Sequence, residues 1–367
     1  MFIELHMIQN FAPSCLNRDD TNAPKDCDFG GHRRARISSQ CIKRSIRRYF
    51  KENVVALGLA GLLGQRTKLL GAQLVERLGA RGKDREEAQR VVQAVMEATG
   101  VKADEESKTS VLLFVGPDEI DRVVERILDK WAELVKATKD ASAKKPKEKK
   151  VPPVDLKDVL REGTRAVDVA LFGRMVAELR DLNVDAACQV AHAISTNRVE
   201  MEMDFYTAVD DLQPKEEAGA GMMGIVEFNS SCFYRYAVLD TEQLAKNLGD
   251  DRELVKSAAL AFVRAAIHAI PTGKQNSMAA HNLPTYVRLV VRDAGQPRSL
   301  ANAFLAPARP TEDKDLSQVS IEKLEKHNEH LDQMYGKAGV KLDRRSSIYG
   351  GDTDVQGLIK SMAEVLR

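Results

Sequence analysis

The hydrophobic pattern opens on a strand. Over residues 2–9, Ile3, Leu5 and Met7 alternate with other side chains, and Asn, Pro and Asp turn formers follow. Ser38 or Ser39 then reads as an N-cap. Ile42, Ile46, Tyr49 and Phe50 recur at helical spacing and predict an amphipathic helix over 39–51, whose other face carries Lys43, Arg44, Arg47, Arg48 and Lys51. From about 52 to 137 the chain is rich in Ala, Leu, Glu and Arg, with stripes at Leu74, Val75, Leu78 and at Val91, Val92, Val95, Met96, which predicts a helical insertion. Residues 138–153 (TKDASAKKPKEKKVPP) are poor in apolar side chains and dense in Lys and Pro, the composition of a mobile, solvated loop.

Alternation at Val167, Val169 and Leu171 predicts a second strand ending at Gly173, and 185–197 reads as helix. Residues 214–224 (PKEEAGAGMMG) read as the mobile tip of an excursion. Residues 225–239 alternate again, with Phe228, Cys232, Tyr234, Tyr236 and Val238 on one face. A helix near 252–270 and a last strand near 286–292, with Val287, Leu289 and Val291 on one side, complete the pattern. Strand, helix, strand, strand, helix, strand is the ferredoxin-like order of RNA-recognition folds, here interrupted by two long insertions, so the expected class is α+β.

A chain of 367 residues exceeds the usual single domain, so two or three structural units are expected. With 55 Lys+Arg against 54 Asp+Glu, overall charge gives no argument for a polyanion partner. Local segregation does, because residues 30–51 hold eight Lys/Arg and no Asp or Glu. The five cysteines form no C-x-x-C pair, which suggests neither a disulfide framework nor a zinc knuckle and fits a reducing cytoplasm. The N-terminus has no secretory pattern and no segment reaches about 18 uninterrupted apolar residues, so neither secretion nor membrane insertion is expected.

The stretch from Ser14 to Arg48 carries the most chemistry. The pair Gly30-Gly31 lets backbone approach a ligand, arginines follow, and a Ser-Ser-Gln helix start presents free N–H groups beside a basic face. Phosphodiesters suit such a surface, with Lys43 and Arg47 four residues apart on one face. The competing reading is a solvent-facing cationic helix paired with acids elsewhere.

Spacing adds a resemblance. SCLNRDD (14–20), FGGHRRARISSQ (29–40) and Lys43-Arg44 are similar to the N-terminal signature of CasC-type backbone subunits of the type I-E CRISPR Cascade complex, a branch of the RAMP-like superfamily. DFYTAVDDL (204–212), EFNSSCFYRYA (227–237), PTGKQ (271–275) and SLANAF (299–304) follow in the matching order. The resemblance implies a hand: an RRM-like palm over 1–50, 163–200 and 227–305, helical fingers over 51–162, a thumb hairpin over 201–226 and a C-terminal helical segment over 306–367.

It also implies guide-RNA contacts at Arg18, Lys25, Ser38, Gln40, Lys43, Arg44 and Arg47, at Met175 after Gly173-Arg174, at Lys274 and Gln275, and at Phe205, Tyr206 and Thr207 in the thumb. Lys and Arg neutralise phosphates and Ser and Gln bond backbone oxygens, so such contacts do not read base identity. Met175 and Phe205 suit packing on a base. Read without the resemblance, Met175 is a core residue, and Phe205 and Tyr206 are core or strand residues. The implied partners are crRNA, a target DNA strand, further copies of the chain and other Cascade subunits; no cofactor is expected. The aromatic run of ordinary RNA-recognition domains is missing from the third strand, so base stacking on the sheet face is not expected.

No nucleophile, P-loop or metal-ligand spacing is visible, which argues for a non-catalytic protein. The alternative is a metal-dependent endoribonuclease on the same fold using Asp19 and Asp20. Adjacent side chains in an extended segment point apart, and Arg18 or Lys25 offer them simple partners.

Overall fold

The computed structural model describes residues 1–101, 108–142, 154–176, 179–208 and 222–366. In chain order the elements are β1 (Phe2–Ser14), β2 (Asp26–Phe29), β3 (His32–Ile37), α1 (Ser39–Glu52), β4 (Gln65–Thr67), α2 (Leu70–Ala80), α3 (Arg85–Thr99), β5 (Leu113–Val115), α4 (Pro117–Asp129), α5 (Trp131–Ser142), α6 (Leu156–Arg161) and α7 (Val167–Phe172). They continue with β6 (Cys188–Val190), β7 (Ala193–Ser195), β8 (Glu202–Ala208), β9 (Met222–Asp240), α8 (Thr241–Asn247), α9 (Arg252–His268), α10 (Gln275–Met278), β10 (Tyr286–Arg292), α11 (Leu316–Tyr335), β11 (Val340–Ser347) and α12 (Val355–Val365). The chain divides into two compact units: Met1–Glu52, Gln189–Leu239 and Ala259–Arg367 form the first, Asn53–Cys188 and Asp240–Ala258 the second.

In the first unit the strands run in the order β11-β10-β1-β9-β7-β3-β2, with β6 and β8 also paired to β9. The inner four, β10-β1-β9-β7, are the ferredoxin-like 4-1-3-2 order, with α1 after the first strand and α9 after the third, so the expected α+β class holds. Period-2 alternation sorts the two faces. On one, Ile3, Leu5 and Met7 of β1 oppose Val291, Leu289 and Val287 of β10, all buried. Arg235 of β9 reaches from this face to Gln9 Oε1 (2.6 Å) and to the Ala266 carbonyl of α9 (2.7 Å).

The other face of the sheet is the surface on which ordinary RNA-recognition domains stack bases. Here Leu300, Phe304 and, from α11, Leu324 pack on Ile8, Tyr234 and Tyr286, so the segment from Leu300 through α11 closes that face. The C-terminal segment expected to be helical therefore also supplies a strand, β11, beside α11 and α12.

In the second unit, Leu74, Leu78, Val91, Val95, Ile120, Val123, Ile127 and Leu160 from α2, α3, α4 and α6 form one core, as the stripes predict. Asp84 caps α3 by accepting from the Glu87 N–H (2.9 Å), and Gly100 ends the helix in the left-handed conformation.

Four expectations are corrected. Residues 167–172 are the helix α7 rather than a strand: Val167 to Leu171 are buried on every side, so periodicity cannot separate helix from strand there. The second palm strand is β7, inside the stretch that reads as helix. Its pairing with β3 and β9, and the Ser195 hydroxyl accepting from the Ala35 N–H (3.0 Å), override the helical propensity of its alanines. Residues 138–142 belong to α5, where Lys139 pairs with Glu87 at 3.0 Å, and the remainder of the Lys-rich loop, 143–153, lies outside the described residues. Of the excursion tip, 222–224 are part of β9 and 214–221 lie outside the described residues.

Candidate nucleic-acid interface

α1 forms because Ile42, Ser45, Ile46 and Phe50 make one buried stripe and Ser38 caps it, its hydroxyl accepting from the Cys41 N–H at 3.2 Å. This turns Arg44 and Gln40 to solvent and leaves Lys43 and Arg47 half-exposed, while Arg48 pairs with Glu52 at 2.5 Å. Ser38 itself is buried, and its N–H donates to Asn17 Oδ1 at 2.8 Å. Its part is to fix the helix start against the 15–25 loop, with the hydroxyl already used.

That loop is held in shape by Asp19. One carboxylate oxygen accepts from the Thr21 N–H (2.9 Å), the Thr21 hydroxyl (2.8 Å) and the Ala23 N–H (3.0 Å), and the Thr21 hydroxyl bond foremost lowers its pKa. Arg18 is exposed and bonds Asn22 Oδ1 at 3.2 Å. Lys25 is locked through its backbone, its N–H donating to the Asn17 carbonyl (2.8 Å) and its carbonyl accepting from the Arg36 N–H (2.9 Å). Among the described residues no group of three or more His, Cys, Asp or Glu is placed to hold a metal, and Asp19 is engaged in shaping its loop, so the geometry does not favour the Asp19/Asp20 alternative.

The late loop lands on the same place. A Cβ on Gly273 would lie 2.4 Å from the Leu16 carbonyl oxygen and 2.5 Å from that of Cys15, so only glycine permits the approach. Arg18 and Lys274 both act electrostatically on Cys15, whose thiol burial pushes up. Arg18, Lys25, Ser38 and Lys274 therefore gather at the start of α1. Gln275 is spent on its own loop, its amide nitrogen bridging the carbonyls of Pro271 (2.9 Å) and Ala280 (3.2 Å).

The arginines after Gly31 divide sharply. Arg34 is wholly buried and donates to the carbonyls of Ser195 (3.0 Å), Thr196 (2.8 Å) and Phe304 (2.6 Å). Arg33 pairs with Asp26 (2.7 Å) and Asp28 (3.3 Å) across the β2–β3 hairpin. Gly30, read as making room for a ligand, makes room for the chain itself: its φ is +63°, and a Cβ would sit 2.1 Å from the Leu305 carbonyl oxygen.

Phe205, Tyr206 and Thr207 stand on β8, which pairs only with the outer half of β9 and is exposed throughout. Register puts Phe205 opposite Ile225 and Thr207 opposite Met223, so Met203, Phe205, Met223 and Ile225 share one apolar, solvent-facing side. Tyr206 lies across Gly224 on the other.

Met175 belongs to the second unit and is 84% exposed, so the core reading of it fails. Arg174 presents it. That buried guanidinium meets Glu119 Oε1 at 2.7 Å and donates to the carbonyls of Leu182 (2.7 Å), Phe114 (3.2 Å) and Leu160 (3.2 Å), while burial raises the Glu119 pKa against the pull of Arg174. Arg34 and Arg174 are residues whose structural weight sequence reasoning missed; as bare cations in basic surroundings they carry no signal that separates a clamp from a phosphate ligand.

The sequence matches the CT1975-like protein family over residues 3–363, and the chain belongs to that family. No curated protein matches it significantly. Among solved structures, a chain titled "CRISPR RNA-guided surveillance complex, pre-nicking" is 31% identical, covers both chains completely and superposes with a TM-score of 0.83. A second, titled "CRISPR RNA-guided surveillance complex", is 25% identical over the whole of both chains with a TM-score of 0.72. No helix among the described residues is long and apolar enough to cross a membrane.

Proposed function

We propose that the protein is a backbone subunit of a CRISPR RNA-guided surveillance complex of type I-E, of the CasC kind. It binds crRNA without reading its sequence, repeats along it and presents it to a target DNA strand in the cytoplasm. The observation that carries this reading is the end-to-end match to a surveillance-complex chain at 31% identity. The geometry supports the RNA part: Arg18, Lys25, Lys43, Arg44 and Lys274 cluster around the start of one helix, with stacking-type apolar groups exposed on β8. The chain is non-catalytic in this reading, its part being to hold and display.

Purification from the native host tests it. A discrete short RNA and several other subunits should accompany the protein, and recovery of RNA-free protein alone would refute the assignment. Incubation of single-stranded RNA with the protein and Mg²⁺ or Mn²⁺ should leave the RNA intact. Cleavage that disappears in an Asp19→Ala/Asp20→Ala variant would replace the non-catalytic reading with the nuclease one.

A further inference from the structure

β3 runs directly into α1, and β7 is the last strand before β8, so whatever joins β3 to the end of β7 joins the two surfaces assigned to RNA in the first unit. Arg34 does this. The β3–β7 ladder pairs Arg36 with Ile194 and Ile37 with Ala193; continued, it would set Arg34 level with Thr196. There the guanidinium replaces strand pairing. Nη1 donates to the carbonyls of Ser195 (3.0 Å), Thr196 (2.8 Å) and Asn197 (3.4 Å), and Nη2 to those of Phe304 (2.6 Å) and Leu305 (3.4 Å). One branch of the fork holds the root of the β8–β9 arm, and the other holds the segment that closes the sheet face.

All of these acceptors are backbone carbonyls. The Phe29 ring lies 6.0 Å from the guanidinium carbon, and Nε, buried with the rest of the side chain, has no partner. A cation buried among dipoles alone is expensive, and an apolar side chain would fill the same space at lower cost. What it could not do is fix three successive carbonyls where the chain turns out of the sheet, a task suited to a planar fork of donors. The same turn is tied from other sides: the Thr196 carbonyl accepts also from the Ala308 N–H (2.8 Å), Asn197 Oδ1 from the Cys232 N–H (3.2 Å), and the Val199 N–H donates to the Arg33 carbonyl (3.0 Å). From Glu202 to Ala208 every residue is exposed. An uncovered two-stranded ribbon has little stiffness of its own, so its direction is decided at its root.

We infer that Arg34 is a positioning residue. It sets the angle at which the arm leaves the sheet, and so the distance from the cations at the start of α1 to the exposed ring of Phe205 on β8. The inference rests on the proposed function, in which copies repeat along one RNA, and gives that repeat a determinant: a buried side chain that touches no RNA fixes the interval between copies.

The test uses the full chain as wild type, as Arg34→Lys, which keeps the charge and loses the fork, and as Arg34→Met, which loses both. Each is titrated onto a single-stranded RNA too short for two copies and onto one long enough for several, with copies counted by native mass spectrometry and their interval read by ribonuclease footprinting. Wild type should protect the long RNA at one regular interval. Both variants should bind the short RNA with the wild-type salt slope, since the α1 cations are intact, and on the long RNA should lose the regular interval and at least about 10-fold in affinity. Equal losses on both RNAs, the mark of a merely structural role, or a regular interval retained by Arg34→Lys, would overturn the inference alone. Failure of wild type to bind either RNA would sink the proposed function and this inference with it. Free wild type gives a check that needs neither variant to fold: the Val199 and Cys232 amides, both bonded at the root, should exchange with solvent as slowly as those of β1, and exchange as fast as in 202–208 would remove the clamp.

Discussion

β9 is one strand in two environments. From Ser231 to Leu239 it is buried on both faces, apart from half-buried Tyr236, with Phe233 edge-on to Phe11 at 5.9 Å and Tyr234 packed beneath Leu300 and Phe304. From Met222 to Phe228 it pairs with β8, and Met222, Met223 and Ile225 face solvent. The hydrogen-bonded ladder is present in both halves, so backbone pairing does not set them apart. Covered apolar area does, and an uncovered two-stranded ribbon is marginal in water. The outer half holds apolar side chains that contribute little to this chain's own stability, which leaves them available to a partner.

Truncation should expose that contrast most strongly. Phe233→Ala removes a ring from a covered face and should cost about 3–5 kcal/mol. Ile225→Ala, on the arm, should change stability by no more than about 0.5 kcal/mol. Urea denaturation of both variants reads the difference, and similar costs would show that the arm is covered after all.

The next effect is pH dependence of the covered half. His6 is buried on the face closed by α11, with Nδ1 2.9 Å from the Tyr234 hydroxyl, and burial, then Arg288, lowers its pKa to about 3. The unfolded chain takes up a proton near pH 6.5 that the folded chain refuses until about 3. His6 thus costs no stability above the higher value and destabilises progressively as pH falls through the interval, by about 1.4 kcal/mol per pH unit. Burial shifts His192, His268 and His327 the same way, so the His6 share is the difference between wild type and His6→Asn. Parallel pH profiles would show that His6 is not held neutral.

What could be read ahead of the structure follows the same division. β1, α1, β9, α9 and β10 each have one apolar face and one different face, and periodicity finds them. α7 has no exposed face, and β7 is three residues held by neighbours far away in sequence, so local pattern misassigns both. The site behaves alike. Arg18, Arg44 and Met175 are exposed and Lys43 half-exposed, whereas Ser38 and Gln275 have their side chains bonded to the protein's own backbone. Nothing in the run RRAR distinguishes Arg34, which closes carbonyls in the core, from Arg36, half-exposed and 3.3 Å from His192 Nδ1. Partners more than 150 residues away decide between clamp and contact.

On the β8–β9 ribbon, Phe205 is 64% exposed and offers a ring that no layer covers among the described residues. Phe205→Ala should leave thermal stability unchanged and weaken binding to single-stranded RNA by about 1–3 kcal/mol if a base stacks there. Fluorescence titration set against melting curves checks both halves of that statement. A fall in melting temperature matching the loss of binding would mean that the arm supports the fold.

The smallest expected effect separates charge from stacking. Lys43 and Arg44 project from α1, whose buried stripe is Ile42, Ser45, Ile46 and Phe50, so removing either cation leaves helix packing intact. If each meets a phosphate, each of Lys43→Ala and Arg44→Ala should flatten the slope of log affinity against log salt by roughly 0.7, the single-strand value, with the same loss for RNAs of unrelated sequence. Phe205→Ala, acting through a ring, should lower affinity and leave that slope unchanged. The two surfaces are then told apart by salt, whatever the size of either loss. A Lys43→Ala variant that loses affinity for one RNA sequence only, or keeps the wild-type slope, would remove Lys43 from the phosphate path and leave Arg18, Lys25, Lys274 and the exposed β8–β9 ribbon as candidate contacts in the first unit.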